Sequence, residues 1–111
     1  MAGKFTITTG KDGKSYFSLK AGNGEIVLQS QGYASLDSCK NGIESTRKNS
    51  QDPKRFDKKT ATNGAFFFTL TATNGQIIGK SQMYKTEKGR NNGIDSVGRN
   101  ASDAKVVEET A

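Results

Sequence analysis

The segment FSLKAGNGEIVLQSQGY at residues 17–33 recurs as FTLTATNGQIIGKSQMY at residues 68–84, and this recurrence determines the architecture. Sliding the chain by 51 residues aligns residues 5–49 with residues 56–100 without a gap, and 17 of the 45 aligned positions are identical. Self-similarity at a fixed period is typical of a duplicated structural unit. One unit of about 50 residues would bury little of its surface, so we expect the two units to share a core.

The first unit contains three short runs that alternate apolar and polar residues, which predicts three half-buried strands, and the second unit repeats the pattern. Asn23-Gly24 and Asn74-Gly75 separate the second run from the third and favour two-residue hairpin turns. Such turns fix the strand register and gather the apolar side chains on one face. The predicted cross-strand pairs are Ala21 with Ile26, Leu19 with Leu28, Ala72 with Ile77 and Leu70 with Gly79.

A helical pattern follows the third strand of each unit, with Ser35 and Thr86 as the predicted N-caps. Asn49 and Asn100 lie where a residue in the left-handed conformation would end each helix. The glycines within the helices suggest a close approach to the sheet. The predicted inward stripes are Cys39, Gly42, Ile43 and Thr46 in the first helix and Arg90, Gly93, Ile94 and Val97 in the second.

The pattern of the opening strand recurs in part a third time near Val107, which lies 102 residues, or two repeat lengths, after Phe5. The predicted order is therefore β-β-β-α, β-β-β-α, β. We expect an α+β fold in which two tandem β3-α units and a final strand form one antiparallel sheet, with both helices on one face and strands exchanged between the halves. The predicted organisation is a single domain at 1–111, repeats at 4–50 and 55–101, and a C-terminal strand or tail at 102–111.

The composition disfavours catalysis and metal binding. The chain has no histidine, so it lacks Ser-His and Cys-His nucleophile pairs and His metal ligands. Its one cysteine, Cys39, falls on an inward helix position and is replaced by Arg90 in the second unit. No cluster has the spacing of a zinc site or an EF-hand. We expect a non-enzymatic protein without a cofactor.

The sequence gives no sign of export or of a membrane span. A lone cysteine cannot form an intramolecular disulfide. The opening Met1 to Ile7 lacks the apolar stretch of a signal peptide, and no run reaches the length of a membrane helix. We expect a cytoplasmic protein.

A net charge of +6, from 17 basic and 11 acidic residues, favours contact with nucleic acid or other polyanions. The outward positions of the sheet interleave aromatic and basic residues, as single-strand binders do. A second basic segment connects the two units. The candidate binding residues are Tyr16, Lys20, Phe67 and Lys80 on the sheet face and Arg47, Lys48, Lys54, Arg55, Lys58 and Lys59 in the connector.

The alternative is a protein-interaction or self-association module, because Val27 and Ile78 also fall on predicted outward positions. The same residues have explanations without a function. Outward side chains can strengthen strand pairing, and lysines on an edge strand discourage aggregation.

The second unit also resembles a known family. The strings RFDKKTATNG at 55–64, FFFTL at 66–70 and NGQIIGKSQMY at 74–84 are similar to the second unit of the YegP-like proteins, a bacterial family built from a tandem domain of unknown function. The resemblance covers about residues 3–101. It implies β3-α-β repeats that combine into one sheet with exchanged C-terminal strands. It implies no activity, cofactor or catalytic residue.

Overall fold

The computed structural model describes residues 3–108, in which two helices pack on one face of a seven-stranded sheet. The strands are β1 (Lys4–Thr9), β2 (Ser15–Lys20), β3 (Ile26–Ser30), β4 (Phe56–Thr60), β5 (Phe66–Thr71), β6 (Ile77–Lys80) and β7 (Lys105–Glu108). The helices are α1 (Leu36–Asn49) and α2 (Glu87–Ala101), and a 3₁₀ turn at Pro53–Arg55 precedes β4.

The sheet order β4-β5-β6-β3-β2-β1-β7 places the two units side by side, related by a pseudo-twofold axis between β3 and β6. The predicted α+β architecture is confirmed, including a final strand that crosses to the first unit. The predicted fully antiparallel sheet is wrong in one respect, because the sheet is mixed: β1 and β7 are parallel, and all other neighbouring strands are antiparallel. β4, the strand that follows α1, pairs with β5. By symmetry β7, the strand that follows α2, would pair with β2, but β1 already occupies that position. β7 therefore adds outside β1 and runs in the same direction.

The hairpin between β2 and β3 ends in a glycine bulge. The N–H of Gly24 donates to the carbonyl of Ala21, and the N–H of Ala21 donates to the carbonyl of Glu25. Gly24 has φ of 89°, a left-handed value that side chains disfavour. The Asn23 carboxamide oxygen accepts from the Glu25 N–H at 3.0 Å and stabilises the turn. This is a three-residue loop, so the predicted two-residue turn is wrong.

A second irregularity, a register shift within the paired strands, changes which side chains of β3 are buried. Leu19 pairs with Leu28 as predicted, but the register then shifts and Lys20 pairs with Ile26. Val27 becomes a core residue, whereas Ile26 is 36% exposed. The predicted inward position of Ile26 and outward position of Val27 are therefore wrong, because a bulge inserts one extra residue.

The second hairpin repeats this correction. Leu70 pairs with Gly79 as predicted, and the register shift then pairs Thr71 with Ile77. Ile78 is buried in the core and Ile77 is 44% exposed, again the reverse of the predicted arrangement.

Side chains cap both helices as predicted, since the hydroxyls of Ser35 and Thr86 each accept from the N–H three residues on. The left-handed helix ends predicted at Asn49 and Asn100 are wrong, because no non-glycine residue within 3–108 has positive φ. Each asparagine instead remains helical, and its amide donates to the carbonyl four residues earlier. These bonds satisfy the amides without a special backbone conformation.

The inward helix stripes follow the predicted positions, with Ile94 half-buried and the other members buried. Gly42 lies where the Tyr33 ring crosses α1, and a Cβ there would overlap the tyrosine hydroxyl. Tyr33 stacks on Phe17 with the ring centroids 6.1 Å apart. Gly93 and Tyr84 repeat the arrangement in the second unit. The glycines thus permit the close approach that the sequence suggested.

Arg47 holds the C-terminal segment against the first unit. Its guanidinium donates to the carbonyls of Ala101, Ser102 and Ala104 at 3.2, 3.3 and 2.7 Å and lies 5.2 Å from the ring centroid of Phe5. The segment left open as strand or tail thus forms β7 over residues 105–108. Residues 109–111 lie outside the described residues.

Candidate nucleic-acid interface

The sheet face opposite the helices carries a cross-strand row with one residue from each strand. We call it the central row. Lys80 and Gln29 pair at its middle, where the two units meet, and shorter side chains lie on both sides of them. In sheet order the central row is Asp57, Thr69, Lys80, Gln29, Ser18, Thr6 and Val107.

Three of the candidate residues meet beside the central row. The Lys80 ammonium lies 4.9 Å from the ring centroid of Phe67, a cation–π distance. Lys59 pairs with Phe67 across β4 and β5. The Phe67 ring is half-buried, and both lysines are exposed. A ring flanked by two lysines can stack on a base while the lysines hold the phosphates.

Lys20, a predicted candidate, lies in a second cluster whose other two members were not predicted. It pairs with Lys4 across β2 and β1, and Lys4 pairs with Lys105 across β1 and β7. We call Lys20, Lys4 and Lys105 the lysine row. Alternation along β1 could have placed Lys4 outward. Lys105 could not be found this way, because its pairing with Lys4 depends on the parallel packing of β7 against β1.

The two clusters lie on the same side of the central row. β5 and β2 run in opposite directions, because three antiparallel pairings separate them. Phe67 precedes Thr69 by two residues and Lys20 follows Ser18 by two, so Phe67 and Lys20 point out from the same edge of the row. Tyr16 precedes Ser18 and lies on the other side.

Tyr16 is separated from these clusters and has a partner of its own. Its hydroxyl donates to Asp12 Oδ2 at 2.6 Å. This hydrogen bond lowers the pKa of the Asp12 carboxyl and raises the pKa of the Tyr16 phenol. The structure does not bring Tyr16 together with Phe67.

The remaining connector residues are dispersed. Arg47 donates to the carbonyl of Ala101 at the end of α2, and Arg55 pairs with Asp52 at 3.6 Å. Lys48 is exposed on α1, and Lys54 is exposed in the 3₁₀ turn. The fifth residue, Lys58, pairs with a core phenylalanine and so lies on the helix side of the sheet. Of the connector residues, only Lys59 joins the open face.

Comparison with known proteins identifies the family. The domain of unknown function DUF1508 matches twice, at residues 11–57 and 61–108. The chain belongs to the DUF1508 family. It is 48% identical to the UPF0339 protein YegP of Escherichia coli K12 and 46% identical to the UPF0339 protein PA0329 of Pseudomonas aeruginosa, in each case over 99% of this chain and all of the relative.

Solved structures of DUF1508 relatives have the same fold. The solution NMR structure of YegP from E. coli, described as a protein of unknown function, matches with a TM-score of 0.94 at 48% identity, covering all of this chain and 96% of that one. The solution NMR structure of UPF0339 protein SO3888 from Shewanella oneidensis matches with a TM-score of 0.93 at 40% identity, covering 99% and 93%. The resemblance seen in the sequence is confirmed.

The thiol of this DUF1508 protein lies in the core. Cys39 is fully buried, and burial raises its pKa, which disfavours the reactive thiolate. Within residues 3–108 no three His, Cys, Asp or Glu side chains are grouped to hold a metal, and no helix is long and apolar enough to cross a membrane.

The alternative of self-association loses its two named contacts in this DUF1508 structure. Val27 and Ile78 are only 4% and 5% exposed, so neither can contact a partner. Ile26 and Ile77 are exposed in their place, but isolated exposed apolar side chains are ordinary at protein surfaces.

Proposed function

We propose that the protein binds single-stranded nucleic acid, weakly and in a salt-dependent manner, through the open face of its sheet. The observation that carries the proposal is the placement of Phe67 between Lys80 and Lys59 on the same side of the face as the lysine row. An aromatic ring offers a stacking surface to any base, and the lysines offer ammonium groups to the phosphates. Sequence preference should accordingly be small.

The proposal is for a non-enzymatic protein of the cytoplasm. The face presents ammonium, hydroxyl, amide and aromatic groups, which can bind and orient a polyanion. A single free cysteine suits a reducing compartment. The bases of a duplex are already stacked on one another, so duplex DNA should gain little from Phe67 and bind more weakly than a single strand.

Fluorescence polarisation with labelled single-stranded RNA, single-stranded DNA and duplex DNA, at low and physiological salt, tests the proposal. The variant Phe67→Ala with Lys80→Ala should lose affinity for single strands by at least about 10-fold, since stacking contributes about 1–3 kcal/mol per base.

The matched control is Leu36→Ala with Lys48→Ala, which removes one exposed apolar group and one lysine from α1. It should bind like the unaltered protein. Equal affinity of the Phe67 variant and the unaltered protein, or equal losses in both double variants, would contradict binding through the sheet face.

A further inference from the structure

The lysine row places three like charges in direct register on adjacent strands. Lys20, Lys4 and Lys105 lie on β2, β1 and β7, about 5 Å apart from strand to strand. Like charges directly opposite each other destabilise a sheet. None of the three forms an ion pair with another residue within 3–108. The arrangement is therefore unfavourable for folding and favourable for an anionic ligand.

The lysine row is not a by-product of the duplication. At the 51-residue offset between the two units, Lys4 corresponds to Arg55, which lies in the 3₁₀ turn, and Lys20 corresponds to Thr71. Within residues 3–108 no strand lies outside β4 to match β7. The row thus exists in one half of the molecule only, and the last strand completes it.

Arg47 fixes the position of that last strand. The carbonyl of Ala104, the residue immediately before Lys105, accepts from the Arg47 guanidinium at 2.7 Å. The Lys105 side chain is thereby presented beside Lys4 by a half-buried anchor on the other side of the sheet. The row is built into the fold and does not depend on a flexible loop.

We infer that the lysine row is the phosphate-holding part of the site, and that a single strand crosses the β-strands from Phe67 to Lys105. This inference rests on the proposed function. The path covers five strand intervals, about 24 Å at the usual spacing. At about 3.4 Å per nucleotide of a stacked strand, it accommodates about seven nucleotides.

The salt dependence of binding tests the row directly. The full chain carrying Lys4→Ala, Lys20→Ala and Lys105→Ala is compared with a control carrying Lys48→Ala, Lys54→Ala and Lys88→Ala, all exposed residues away from the open face. Both variants lose the same charge. The probe is a labelled single-stranded oligonucleotide of about eight nucleotides, measured between about 50 and 200 mM salt, and thermal unfolding verifies that both variants are folded.

Each phosphate contact adds about 0.7 to the slope of log affinity against log salt. The lysine-row variant should lower the slope by about 2. The fold-loss of affinity between about 50 and 200 mM salt should therefore be about 20 times smaller for this variant than for the unaltered protein. The control should keep the original slope. Affinity should also rise with oligonucleotide length up to about seven nucleotides and then level off.

Equal slopes in the two variants would overturn the inference and leave binding to the face intact. A steady rise of affinity well beyond about seven nucleotides would overturn the crossing path. If the unaltered protein bound no single strand at all, the proposed function would fail, and this inference with it.

Discussion

Tyr33 and Tyr84 determine how closely each helix can approach the sheet. Each hydroxyl lies where a helical Cβ would otherwise stand, at Gly42 and Gly93. Glycine within a helix costs about 1 kcal/mol relative to alanine. The duplicated glycines therefore oppose helix formation and are required by the packing of the tyrosine rings.

Gly42→Ala should destabilise the fold by about 1–3 kcal/mol despite its better helix propensity, because overpacking a core has a cost of that size. Gly98→Ala is the control, since the nearest atom to a Cβ there is the Ser50 carbonyl oxygen at 3.4 Å. That substitution should raise the free energy of unfolding by up to about 1 kcal/mol. Urea unfolding measures both, and a similar gain in both variants would show that Tyr33 does not restrict position 42.

Alternation along a single strand is enough to predict on which face of the sheet individual candidate residues lie. Lys20 and Phe67 lie outward because each follows or precedes a core residue, Leu19 or Phe68. Lys80 lies outward beside the buried Gly79, and a period of two requires no knowledge of the fold. Ile26 could not be placed this way. Its orientation depends on the loop length and on the extra residue that β3 accommodates opposite Leu19 and Lys20, and an Asn-Gly pair is compatible with more than one loop.

At the scale of elements, Arg47 joins α1 to the end of α2 and to β7. Its guanidinium donates to three carbonyls and pairs with Glu44 at 3.1 Å. Carbonyls at a helix C-terminus have no partner within the helix, so an arginine from the neighbouring helix serves as the cap. The counterpart of Arg47 in the second unit is Gly98, which leaves β4 without such an anchor.

Arg47→Lys should loosen β7 while preserving the charge. We expect a loss of about 1.5–3 kcal/mol in the free energy of unfolding, because hydrogen bonds to charged groups contribute that much. The substitution should also speed hydrogen exchange at the Val106 amide more than at the amides of β2. Arg99→Lys, on the exposed surface of α2, is the control. Unchanged exchange at Val106 in the Arg47 variant would contradict the anchoring role.

The order of elements and both N-caps could be predicted from the sequence, because each depends on local patterns. The parallel pairing of β7 could not. It follows from the competition of β7 and β1 for the same place beside β2, which appears only when the two units are assembled. Lys105 was missed as a neighbour of Lys4 for that reason.

At the scale of the whole molecule, the duplication produces two similar halves that carry different charges. Phe5 and Phe17 meet edge to face at 5.7 Å, and Phe56 and Phe68 do the same at 5.6 Å, so the core repeats. The open face does not, because the lysine row lies on the first unit and Phe67 on the second. A ligand that uses both clusters must cross the boundary between the units.

Chemical-shift mapping shows directly whether a single strand crosses that boundary. Isotopically labelled protein is titrated with a single-stranded oligonucleotide of about eight nucleotides, and the backbone amides of the two faces are compared. We expect the largest shifts at Lys4, Lys20, Phe67, Lys80 and Lys105, with the exposed residues of α1 and α2 unchanged. Shifts confined to the helices, or none at saturating oligonucleotide, would contradict the account.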